Sequence, residues 1–136
     1  EAAIDVGTGT GILAIAMAKL GAASVRAIDV DPVAVAVAEE NVRQNGVADR
    51  VTVRAGDLFA GEAGPFDLLV ANILPDVHER LVPEAVPRLR SGGRIVLSGI
   101  IEAEAERMAR LLFAHGLIEL KRLSADGWTA LWAVRP

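Results

Sequence analysis

At 136 residues the chain has room for one domain with a substantial core and not for two of ordinary size. Hydrophobic residues make up 52% and mean hydropathy is +0.38, which suits strands buried on both faces, yet no apolar run approaches the roughly 18 residues of a membrane span and no signal-peptide pattern opens the chain. A net charge of −4 speaks against a broad basic nucleic-acid surface, and the lack of cysteine excludes disulfides and thiolate chemistry, a balance that fits the cytoplasm.

In chain order, "AAID" predicts a strand and "GILAIAMAKLG" a helix closed by Gly21. "SVRAIDV" is a second strand. Asp31 then caps a helix whose first position is Pro32, where the missing N–H does no harm, and which Gly46 terminates. "RVTVRAGD" predicts a strand, "GEAGP" a loop, and "FDLLVANIL" a strand with almost no alternation. "PDVHERLVPEAVPRLR" has helical spacing that Pro83 and Pro87 should bend or interrupt. "SGG" predicts a turn, "RIVLSGI" a strand, and "EAEAERMARLLFAHG" an amphipathic helix from Glu102 to Gly116 with a solvated acidic start. The tail reads as two strands joined by "ADG". Arg88, Arg90 and Arg94 read as a solvated helix end.

Strand–helix alternation with apolar strands predicts an α/β fold: a three-layer Rossmann-like sandwich with a mostly parallel sheet of about seven strands. The C-terminal hairpin breaks the alternation, so one strand there should run antiparallel.

"DVGTGTGIL" places Gly7, Gly9 and Gly11 in the first strand-to-helix turn, where ligands of open parallel sheets bind. Glycine there lets a ligand approach the backbone, beside the positive end of a helix dipole. A dinucleotide fingerprint G-x-G-x-x-G counted from Gly7 and Gly9 needs glycine at position 12, which is Ile12. The observed pattern has Asp5 ahead of the glycines, and a carboxylate there suits a cationic ligand such as S-adenosyl-L-methionine better than a pyrophosphate. A tight turn without a ligand is the bland alternative. Asp29, followed by Val30, lies 18 residues after Gly11 and is placed to accept from ribose hydroxyls. Asp57 is placed to accept from an adenine amino group, with Leu58 against the ring; Asp57 as a loop-starting cap is the alternative.

Asn72 interrupts the apolar run of "ANILP". It is expected either to cap the following helix or to hold an incoming amine through its side-chain oxygen, and it is the one candidate catalytic residue. Ser98 and Gly99 line the same rim or form a plain turn. His78 and His115 are expected in exposed or capping roles, and no metal-ligand spacing is visible. Trp128 and Trp132, four apart on one strand, are expected on one face as core or edge packing.

"DVGTGTGILAIAMAKLGA", "AIDVDPVAVAVAEENVRQNGV", "VANIL" and "GGRIVLSGI" together resemble the catalytic domain of the ribosomal protein L-eleven methyltransferase family, over nearly the whole chain. The first motif marks class I S-adenosylmethionine-dependent methyltransferases in general; "ANIL" with the later "LSGI" narrows it. The resemblance implies trimethylation of lysine side chains and of the N-terminal amine of a ribosomal protein. It places Gly7, Gly9 and Gly11 at the methionine part of S-adenosyl-L-methionine, Asp29 at the ribose, Asp57 at the adenine and Asn72 at the transfer site; Thr8, where cysteine is common, belongs to the same cofactor-binding turn. It further implies that a recognition domain and a glycine- and threonine-rich closing segment precede such a core, so residues 1–136 read as one methyltransferase core domain. Expected partners are a protein substrate, with no direct nucleic-acid or membrane contact; the residues set no oligomeric state. Transfer to another protein or small-molecule acceptor, a nicotinamide oxidoreductase, and a cofactor-binding domain without turnover are the alternative readings.

Overall fold

β1 (Ala2–Val6) and β2 (Ser24–Asp29) pair in parallel, Ala2 with Ser24 through Val6 with Ile28, and β2 pairs in parallel with β3 (Val51–Ala55). The computed structural model describes residues 1–136 and divides into two compact units, Glu1–Ala63 and Gly64–Pro136. In the first unit the strand order is β3-β2-β1. Ala3, Ile4, Val25, Ala27 and Ile28 are at most 1% exposed, as expected of strands covered on both faces. Helix α1 (Ile12–Lys19) buries Ala14, Ile15 and Ala18; α2 (Pro32–Gln44) buries Val35, Ala38 and Val42, a three-and-four spacing that defines its inner stripe. Asp31 caps α2 by accepting from the Val33 N–H at 2.9 Å, with Pro32 in the first turn.

In the second unit β4 (Phe66–Asn72) pairs in parallel with β5 (Leu89–Ile101). β7 (Trp128–Val134) runs antiparallel to both β5 and β6 (Ile118–Ala125), giving the order β4-β5-β7-β6. Seven strands, of which β7 alone runs against its neighbours, interleaved with helices, make up the expected Rossmann-like α/β class. Asp126 and Gly127 both have positive φ, which closes the β6–β7 hairpin tightly.

Four local expectations change. The "SGG" segment lies inside β5, because Gly92 donates to the Arg135 carbonyl and Arg135 donates to the Gly93 carbonyl, so the chain end pairs what looked like a turn. Helix α3 (Pro75–Ala85) continues through Pro83, since Leu81, Val82 and Ala85 are fully buried and their packing outweighs the roughly 3 kcal/mol that an interior proline costs. The interruption expected at Pro87 is present: α3 ends at Ala85 and Pro87 falls in the 3₁₀ turn Val86–Arg88 that follows. Helix α4 (Ala105–Ala114) starts after a 3₁₀ turn at Glu102–Glu104 rather than at Glu102. The three arginines do not form one helix end either: Arg90 and Arg94 belong to β5, where Arg90 pairs with Asp67 at 2.9 Å and Arg94 lies over the Trp132 ring.

Candidate functional site

Parallel register brings three loops of the first unit to one sheet edge. β1 ends opposite Ile28 and Asp29 stands opposite Ala55, so the turn 7–11, Asp29–Val30 and Gly56–Leu58 leave the strands side by side. Backbone bonds tie them together: Gly7 and Thr8 both donate to the Ile28 carbonyl, and Gly56 donates to that of Asp29. The Asp29 carboxylate accepts from the Gly9 N–H at 2.8 Å and from the Asp31 N–H at 3.0 Å, which leaves the remaining lone pairs of its half-buried oxygens for a ligand.

The glycines divide the work. A Cβ on Gly9 (φ +57°) would meet no atom within 4 Å, so the space over that peptide is open. A Cβ on Gly11 would press on the Ala38 Cβ at 3.2 Å; this glycine lets α1 approach α2, a packing role not anticipated from the motif. Asn41 of α2 donates to the Thr10 carbonyl at 2.9 Å and steadies the turn from the side. Its signal in the sequence was only a poor helix former inside a helix. Val30 is exposed, while Leu58 is 6% exposed and offers only an edge to the surface. Leu58 also holds φ +48°, an uncommon conformation for a branched apolar residue, beside Asp57.

Asp5 lies beneath the turn, 1% exposed, and accepts from the Thr8 hydroxyl at 2.7 Å and from the Ala14 N–H. Burial pushes its pKa from 3.8 up to about 6, against the two hydrogen bonds and with a small push from Asp29. Between those values the folded chain binds more protons at this site than the unfolded chain. Its contribution is therefore full below about pH 3.8 and is withdrawn as pH rises to about 6. Asp5→Asn should remove that decline. In urea titrations at pH 4 and pH 7, stability of the variant relative to wild type is expected to rise with pH by on the order of 3 kcal/mol; a pH-independent difference would refute the assignment.

The second unit carries the other candidate residues. Asn72 ends β4 opposite Ser98, exposed, and does not cap α3, whose cap is Leu74. Asn72, Ile73, Leu74, Ser98, Gly99 and Trp128 line a cavity of about 560 Å³. β5 bulges here: Leu97 pairs with Leu131 and Ile100 with Thr129, so Ser98 and Gly99 face one residue of β7. A Cβ on Gly99 (φ +74°) would stand 2.5 Å from Asn72 Oδ1 and 3.0 Å from the Ile73 carbonyl oxygen. Trp128 and Trp132 do share a face, but Trp128 is 55% exposed and walls the cavity instead of filling the core. Asp76, Glu104 and Arg107 line an adjoining cavity with Trp128, two carboxylates to one guanidinium. His115 donates through Nδ1 to the Leu111 carbonyl at 3.0 Å and forms the C-cap of α4, in line with the expected capping role. His78 does not have the expected exposed or capping role: it is fully buried, because α3 turns it into the core beside Leu81 and Val82.

The whole chain, residues 1–136, matches the family model described as ribosomal protein L11 methyltransferase (PrmA). It is 50% identical over 131 residues to the ribosomal protein L11 methyltransferase of Exiguobacterium sp., covering 96% of this chain and 42% of that protein. With that of Symbiobacterium thermophilum it shares 46% identity over 133 residues, 98% of this chain and 43% of that protein. The chain thus spans less than half the length of these curated relatives. Among solved structures it is similar to a ribosomal protein L11 methylase from Lactobacillus delbrueckii subsp. bulgaricus, with a TM-score of 0.94 and 36% identity over 98% of this chain and 69% of that chain. It is also similar to an RNA methyltransferase from Salinibacter ruber in complex with S-adenosyl-L-homocysteine, with a TM-score of 0.80 and 26% identity over 100% of this chain and 81% of that chain. No helix is long and apolar enough to cross a membrane.

Proposed function

Because the chain belongs to the ribosomal protein L11 methyltransferase family, we propose that it is the S-adenosyl-L-methionine-binding core of a methyltransferase acting on protein amines, the lysines and N-terminus of a ribosomal protein. One observation carries this reading: the open Gly9 peptide, held by the Asp29 carboxylate at 2.8 Å. The donor set fits that cofactor. Gly7, Thr8, Gly9 and Gly11 would take its methionine part, Asp29 and Val30 its ribose, and Asp57 with the edge of Leu58 its adenine. Asp5 braces the turn from below. The bound cofactor supplies a methyl group on a sulfonium, activated for displacement by an amine.

What the protein itself must do is present a neutral amine. A lysine with a pKa near 10.4 is about 3.4 units above neutrality, so freeing its lone pair costs roughly 4.6 kcal/mol at pH 7. Asn72 cannot remove that proton; its amide oxygen accepts an amine N–H and so aims the lone pair. The apolar wall of Ile73, Leu74 and Trp128 disfavours the ammonium form. Positioning supplies the rest. At the adjoining cavity Asp76 and Glu104 pair with Arg107 at 3.5 and 2.7 Å, and the one carboxylate charge in excess favours an incoming lysine over a phosphate, hence a protein acceptor over RNA.

Two measurements test this. Calorimetry should show binding of S-adenosyl-L-methionine and S-adenosyl-L-homocysteine without binding of NAD; the opposite preference would end the proposal. With labelled cofactor, methyl incorporation into ribosomal protein L11 should rise with pH from 7 to 9, by up to about tenfold per unit while the amine remains protonated. A flat profile with chemistry shown to limit turnover would contradict the neutral-amine requirement.

A further inference from the structure

His78 is fully buried on α3, and its Nε2 lies 2.9 Å from the Ser98 carbonyl oxygen. A carbonyl only accepts, so Nε2 carries the proton and donates. Nδ1 is then a buried acceptor without a hydrogen-bond partner, a cost that leucine or phenylalanine in the same place would avoid. Burial also pushes the ring pKa down, keeping it neutral. Something other than packing accounts for histidine here, and what its donor reaches is the bulge of β5. Ser98 and Gly99 are the residues that the bulge takes out of simple pairing with β7. They are also the residues that meet Asn72: Ser98 pairs with it across the ladder, and a Cβ on Gly99 would be 2.5 Å from its Oδ1.

We propose that His78 is a positioning residue for the acceptor site: through its hydrogen bond to the Ser98 carbonyl it holds the Ser98–Gly99 bulge in the shape that sets the side-chain orientation of Asn72. The chain of contact is α3 to β5 to the end of β4, all within the second unit. This rests on the proposed role of Asn72 in amine methylation, and its structural half is independent of that role.

The test uses the full chain with two variants. His78→Phe keeps the ring volume and removes the donor; His78→Gln restores an N–H near the position of Nε2. In nitrogen-15 NMR of the wild type, the His78 ring should show Nε2 protonated and Nδ1 bare. The Gly99 backbone amide and the Asn72 side-chain amide should shift in His78→Phe and return toward their wild-type positions in His78→Gln. Methyl transfer to ribosomal protein L11 should fall about tenfold or more in kcat for His78→Phe, with KM and calorimetric cofactor affinity little changed, and should recover in His78→Gln. Unmoved Gly99 and Asn72 resonances in a folded His78→Phe would overturn the proposal, as would the opposite ring tautomer. If His78→Phe fails to fold, His78→Gln decides: loss of kcat with a displaced bulge despite a donor near Nε2 would overturn it. Should the wild type transfer no methyl group to any amine, the functional reading fails, and the resonances alone decide whether His78 sets the bulge.

Discussion

Asp29→Ala is expected to weaken S-adenosyl-L-methionine binding at least about a hundredfold, corresponding to roughly 2.8 kcal/mol. Two losses combine. The carboxylate is the proposed acceptor for the ribose hydroxyls, and hydrogen bonds to a charged group are worth about 1.5–3 kcal/mol. The same carboxylate holds the Gly9 N–H at 2.8 Å and the Asp31 N–H at 3.0 Å, so the turn loses its brace as well. The second bond is exposed and water replaces it; the first is part-buried. A fall of about 1–2 kcal/mol in stability is therefore expected alongside the binding defect, which leaves the fold intact. Calorimetry on the variant, with its circular dichroism and melting temperature as controls, separates the two effects. Unchanged affinity in the folded variant would remove Asp29 from the cofactor site.

Gly99→Ala is expected to lower methyl transfer about a hundredfold with cofactor affinity unchanged, because displacing a positioning group by about 1 Å costs that much. The new methyl group would stand 2.5 Å from Asn72 Oδ1, the movable end of a side chain, and 3.0 Å from the Ile73 carbonyl, which is less free to move. Asn72 swings away. The backbone adds a strain of about 1–2 kcal/mol, because φ +74° is unfavourable for any residue with a Cβ. Strain alone lowers stability, not turnover of the folded fraction. A double-mutant cycle makes the distinction: in an Asn72→Ala background the clash with Oδ1 is gone, so Gly99→Ala should then have little further effect on kcat. Full additivity in kcat would show that Gly99 acts on turnover by some route other than Asn72.

Asp31 and Pro32 announced the start of α2 because a cap acts through its own side chain and the next two residues. Gly11, by contrast, sits in the motif for a different reason from Gly9: it faces Ala38, 27 positions away, and no local pattern encodes that contact. His78 stood in a helix-like segment with no spaced partner, which suggested an exposed or capping role. Its burial depends on which face of α3 packs against β5, and on a bulge created by the register of β7.

By itself the sequence determined the strand–helix alternation, the antiparallel final hairpin, the glycine turn and the residues Asp29, Asp57 and Asn72 as its chemical candidates. These are consequences of local propensity, of hydrophobic period and of motif spacing, all of which act over a few residues. Tertiary structure alone decided that "SGG" is strand, that Asp5 is a buried brace with a raised pKa, that Trp128 walls a cavity, and that Gly99 leaves room for Asn72. Each of those depends on burial, register or a contact between segments distant in the chain, and such quantities exist only once the strands have paired.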